Sequence, residues 1–92
     1  MQNFIVDYKD AHGKNMHNSF QAITSNKWIA CARIIRELFL QGCIPISIIR
    51  IVGNYTFEQL EELAENRVFV PFEVMYYNHR LFSSSIIGTE PQ

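Results

Sequence analysis

The sequence predicts a small α+β domain, with elements in the order β-β-α-β-α-β. The expected architecture is a three- to four-stranded mixed sheet with one long helix packed on a face and a short acidic helix beside it. Three observations carry this reading. Asn3–Lys9 and Val68–Tyr77 alternate between apolar and polar residues at the strand period. Ser25–Gly42 reads as a single helix with a polar start, an apolar body and a glycine stop. Thr56 and Gln59 stand at capping-box spacing ahead of a run of glutamates.

In chain order, Phe4, Val6 and Tyr8 share one face of the first strand, and Ile5, Asp7 and Lys9 the other. Asp10-Ala11-His12-Gly13-Lys14 is a turn, with Gly13 free to take positive φ. Asn15–Ile23 returns as a second strand, with Met16, Phe20 and Ala22 on one face. The long helix follows, with Ser25 as its expected N-cap. At 100° per residue, Trp28, Cys31, Ala32, Ile35, Leu38 and Phe39 form a core-facing arc. Ile29, Ile34 and Leu40 fall instead among the polar residues. Extra apolar residues on small domains mostly pack within the domain, and the other explanation is a partner. Whether that second side is covered is left open.

CIPISIIRIVG, from Cys43 to Gly53, is rich in β-branched residues and reads as a third strand. Ile46 and Ile48 lie on one face, Ile49 and Ile51 on the other, so both faces need cover. Pro45 belongs at its beginning. The short helix runs from Thr56 to about Asn66, with Tyr55 and Leu60 at hydrophobic-staple positions. Pro71 interrupts Val68–Tyr77 and makes it an edge strand or a broken one. The domain is expected to span residues 1–82, with 83–92 a flexible tail.

Bulk properties narrow the function classes. Ninety-two residues make one domain with a modest core, so self-association or docking on a larger partner is expected. No apolar run is long enough to span a bilayer. The opening MQNFIVDYKD has neither region of an export signal, which points to the cytosol. Cys31 and Cys43 are too few and too irregularly spaced for a disulfide framework or a zinc site. His12, His17 and His79 stand in no nucleophile or metal-ligand motif, and the four glycines form no phosphate-binding loop. The expectation is therefore a non-enzyme without a cofactor or metal.

The net charge of −1 hides two unlike halves. Lys9, Lys14, Lys27, Arg33, Arg36 and Arg50 outnumber Asp7, Asp10 and Glu37 in the first. After Arg50, Glu58, Glu61, Glu62, Glu65, Glu73 and Glu90 outnumber Arg67 and Arg80. Arg33 and Arg36 share a helix side with Ile29 and Leu40. Guanidiniums beside apolar groups suit a protein interface or phosphate contact, and the plain alternative is solubilising charge. Glu58, Glu61, Glu62 and Glu65 are three and four apart and line one face of the short helix. Such a stripe is usually a solvated helix face; its functional reading is mimicry of nucleic-acid phosphates. Tyr76-Tyr77-Asn78-His79-Arg80 could stack on bases, but more often such a run closes the edge of a core.

The pattern F-I-V-x-Y-K-D-A-x-G-K, then a strand ending F-x-A, then a capped amphipathic helix, covers residues 3–42. It resembles small phage-encoded counter-defence inhibitors of the anti-CRISPR type. The resemblance implies a non-enzymatic inhibitor in the host bacterial cytoplasm that binds a CRISPR–Cas ribonucleoprotein or nuclease complex. It would block target nucleic-acid engagement by surface occlusion. The partner-binding residues expected are Ile29, Arg33, Arg36 and Leu40, with Lys9, Lys14 and Lys27 meeting guide-RNA backbone or acidic protein. The alternatives are a dimeric DNA-mimic anti-restriction protein, using Glu58, Glu61, Glu62 and Glu65, and a small nucleic-acid-binding regulatory module.

Overall fold

The alternation at the N-terminus becomes a hairpin. In the computed structural model, which describes residues 1–66, 68, 70–78, 80–81 and 87–88, β1 (Gln2–Lys9) pairs antiparallel with β2 (Asn15–Ala22). The Asp10 carboxylate closes the turn by accepting from the amides of His12 and Lys14, at 2.8 and 2.9 Å. Gly13 takes φ +78° there.

Helix α1 (Lys27–Leu40) starts one residue later than the sequence suggests. Asn26, not Ser25, is its N-cap, and its side chain accepts from the amides of Trp28 and Ile29. Both residue types cap well, so sequence alone does not choose between them. At the other end Gly42 has φ +75°. Its amide donates to the Phe39 carbonyl and that of Cys43 to Leu38, the two bonds of a Schellman stop. Cys43 and Leu38 are buried in one cluster and supply the apolar contact that accompanies this motif.

The arc that α1 buries is rotated from the expected one. Ala30, Cys31, Ile34 and Leu38 are buried, Trp28 and Ile35 pack half-buried beside them, and Ala32 and Phe39 face outward. The side chains below are bulky: Phe4, Val6, Ile48 and Met75 are fully buried under the helix. The small Ala30 and Cys31 let its axis settle close to them. Burial pushes the Cys31 thiol up to about 11.

β3 (Ile44–Ile51) pairs with β1, and β4 (Phe72–Tyr77) with β3. The sheet order is β2-β1-β3-β4, with two-residue strands β5 (Arg80–Leu81) and β6 (Ile87–Gly88) both on β4. Every ladder is antiparallel, so the sheet is not mixed. Helix α1 carries the chain back the length of the sheet, so β3 runs the same way as β2. With β1 between them, both neighbours of β1 oppose it. Pro71 sets the start of β4, four residues later than the alternation suggests. Of the stretch 83–92, expected to be a tail, residues 83–86 and 89–92 lie outside the described residues, and Ile87–Gly88 forms β6.

Helix α2 (Phe57–Asn66) opens with the predicted capping box. The Thr56 amide donates to Gln59 Oε1 at 3.0 Å, and the Gln59 amide to Thr56 Oγ1 at 3.1 Å. Through Leu60 and Ala64 it covers Ile5, Ile49, Ile51 and Phe72, on the sheet face opposite α1. The domain thus has three layers, helix on sheet on helix.

Leu60→Ala empties a fully buried position under α2 and should cost about 3 kcal/mol of stability, read as a lower urea midpoint. Ile29→Ala, on the outer side of α1, should stay within about 0.5 kcal/mol of the parent.

Candidate functional site

Residues 29, 33, 36 and 40 recur on one side of a helix, and α1 turns that side away from the sheet. Nothing within the described domain covers it. Ile29 is 46 % exposed, Phe39 56 % and Leu40 70 %, with Ala32, Arg33 and Arg36 also exposed. Of the three extra apolar residues, only Ile34 packs internally. From Ile29 to Leu40 the surface is an apolar strip about 17 Å long, at 1.5 Å per residue, edged by two guanidiniums. Past the Schellman turn, half-exposed Ile44 extends it. The hairpin tip lies at this end: Gly42 abuts Ala11, and Ile44 pairs with Lys9. Lys9 and Lys14, both exposed, therefore stand near the C-terminal end of α1.

Lys27 does not join them. Its Nζ donates to Glu73 Oε2 at 2.8 Å, while Arg50 Nε donates to Glu73 Oε1 at 3.0 Å. Glu73 is 2 % exposed, so its carboxylate is held under the first turn of α1 between two cations. Burial alone would raise this carboxyl. The hydrogen bonds and charges of Lys27 and Arg50 together outweigh it and hold the group below the usual glutamate value. Lys27 is thus tied to the sheet, by a partner that lies 46 residues away in sequence.

Glu58, Glu61, Glu62 and Glu65 stand together on the exposed side of α2, as their spacing predicts. Because α1 and α2 lie on opposite faces of the sheet, the basic and acidic surfaces point in opposite directions. In the aromatic-basic run, Tyr76 is buried in the core, Tyr77 is half-exposed and Asn78 turns the chain at φ +47°. His79 lies outside the described residues.

One cluster is absent from the sequence reading. The hairpin register places His17 opposite Asp7, and β3 brings Ser47 to Asp7 from the other side. His17 Nδ1 bonds Asp7 Oδ1 at 2.5 Å, Ser47 Oγ donates to Asp7 Oδ2 at 3.1 Å, and His17 Nε2 meets the Ala64 carbonyl at 3.2 Å. These side chains line a 420 Å³ cleft with Tyr77, beyond the end of α2. The residue types are those of a hydrolytic triad, but the order differs. In a triad the imidazole stands between hydroxyl and carboxylate; here the carboxylate stands between hydroxyl and imidazole. The far imidazole nitrogen is occupied by a carbonyl in the last turn of α2, a group the helix itself leaves unbonded. The cluster ties three strands together and fastens α2. The turn at Asp10–Lys14 sets the register and so signals the Asp7–His17 pair. Nothing local signals Ser47.

Among the described residues no three of His, Cys, Asp or Glu converge to hold a metal ion, and no helix is long and apolar enough to cross a membrane. No protein-family model, curated protein or solved structure matches the chain.

Glu73→Ala leaves Lys27 and Arg50 facing a void and should cost about 3 kcal/mol at neutral pH. Because the Glu73 carboxyl is lowered on folding, its stabilisation is full above the ordinary glutamate range and fades as pH falls through the lowered value. Urea titrations across that acidic window should show a shallower loss of stability for the variant than for the parent.

Proposed function

We propose that this protein is a non-enzymatic inhibitor of the phage counter-defence type, one that docks the outer side of α1 on a bacterial CRISPR–Cas ribonucleoprotein and occludes the path of its target nucleic acid. The observation that carries the reading is the uncovered strip of Ile29, Phe39 and Leu40 interleaved with Arg33 and Arg36. Burying an isoleucine or leucine side chain is worth about 1.5–3 kcal/mol, and a guanidinium beside it pairs with a carboxylate or phosphate. A ribonucleoprotein offers both, protein surface for the apolar strip and guide-RNA backbone for Lys9 and Lys14 at its end. The hairpin and capped helix on which the family resemblance rests are the elements that build this surface.

The second reading is phosphate mimicry by Glu58, Glu61, Glu62 and Glu65. Its support is their common exposure on the opposite side of the molecule. Because the two surfaces point apart, mutations separate them. Arg36→Glu combined with Leu40→Asp should weaken binding to a purified CRISPR–Cas complex at least a hundredfold, taking each as a hot spot of about 1.4 kcal/mol or more. Target-DNA binding by the complex should recover in parallel. Lysine substitutions at Glu58, Glu61 and Glu65 should leave affinity within about threefold. The reverse pattern would transfer the function to α2. Tight, steeply salt-dependent binding to free RNA or DNA would instead favour a nucleic-acid-binding module.

A further inference from the structure

The two edges of the sheet are finished differently. On the outer edge of β4 the chain lays down β5 and β6. On the outer edge of β2 there is no strand among the described residues; all eight of its residues pair inward, with β1. Exposed edges are commonly blunted by lysine, proline or a bulge. Asn15–Ala22 contains no proline, no lysine, no arginine and no acid, and its ladder with β1 has no register shift. It presents a straight row of outward backbone donors and acceptors.

Beside this edge, on the α1 side, lies a groove of 280 Å³ lined by Phe20, Ala22, Ile23, Ala30 and Ile34. Ile23 is 86 % exposed. Arg33 and Glu37 also border it, one helical turn apart on the flank of α1 that looks toward β2.

We propose that this edge and groove form a two-fold interface with a second copy of the chain, β2 pairing antiparallel with β2 of the copy and the two α1 helices lying side by side. In an antiparallel pair, facing residues lie on the same side of the sheet, so the axis must pass between a residue and its own counterpart, at Asn18 or Ser19. With the axis at Asn18, Met16 faces Phe20 of the second copy, and Phe20 faces its Met16. Both are half-buried apolar residues packed on the α1-side core, so that core continues from one copy into the other. His17 then faces Ser19, and no like charges meet. With the axis at Ser19, Phe20 would face an asparagine, so the first register is the favoured one.

The flank of α1 supplies the charge complementarity. Across a two-fold axis, Arg33 of each copy meets Glu37 of the other, an isologous arrangement that an unrelated extended peptide has no reason to match. The interface leaves Ile29, Arg36, Phe39 and Leu40 on the outer side of α1 free and takes Arg33 from the strip described above. It is tested without any CRISPR–Cas complex.

Light scattering on the purified full chain should give twice its 10.8 kDa mass. Arg33→Glu should raise the dimer dissociation constant at least tenfold, because carboxylates then face each other. Adding Glu37→Arg should bring it back to within about threefold of the parent, which loss of folding could not do. Asn18→Cys should form a covalent dimer under mild oxidation, since facing Cβ atoms in such a pair are about 5 Å apart. Cys31 and Cys43 are buried and should not compete. A chain that stays monomeric at about 100 μM, or a dimer that Arg33→Glu does not weaken, overturns the proposal. So does an Asn18→Cys dimer that fails to cross-link. A monomer that instead captures an extended peptide on β2 would assign the edge to another kind of partner.

Discussion

The central strands bury apolar side chains on both faces, and the rest of the architecture answers to that. Phe4 and Val6 of β1 and Ile48 of β3 project to one side; Ile5, Ile49 and Ile51 project to the other. A single helix can cover one of these surfaces, so a chain of this length needs two. Helix α1 is long and apolar enough to dock by packing. Helix α2 is shorter, with only Leu60 and Ala64 fully inserted, and polar ties hold it at both ends. Gln21 of β2 donates to Asn3 Oδ1 and to the Tyr55 carbonyl ahead of the helix, and His17 of β2 reaches the Ala64 carbonyl in its last turn. The strand at the edge of the sheet is thus also the strut for the second layer.

Much of this was legible in the residues. The alternation at Asn3–Lys9, the glycine at position 42 and the Thr56–Gln59 box each encode their structure within a few neighbours, and each forms as read. Isoleucines on both faces of β3 announced the need for cover on both, although not that α2 would supply it. Features set by distant partners were read less well. The roll of α1 depends on the bulk of Phe4, Ile48 and Met75 beneath it, and no angular pattern within the helix contains that information. Lys27 looked like a free cation because Glu73 lies in another strand. The sheet looked mixed because strand direction follows from the crossover and from which strand lies between, not from composition.

The candidate site divides along the same line. The exposed strip on α1 came from periodicity, since Ile29 and Leu40 stood among arginines, and only the solvent on its outer side had to be learned from the fold. The Asp7–His17–Ser47 cluster joins three strands and was assembled by register alone. Its residue types suggest chemistry, while its bonding order and the carbonyl on His17 describe a fastening.

Placing arginines outside one layer and four glutamates outside the other gives the molecule an electric moment across the sheet, even though its net charge is only −1. A particle of this kind feels little net pull from a distant polyanion but a definite torque. In the field of any polyanion that torque turns α1 toward the charge and α2 away from it. More encounters then begin in one orientation, and added salt acts on how the molecule arrives more than on how long it stays.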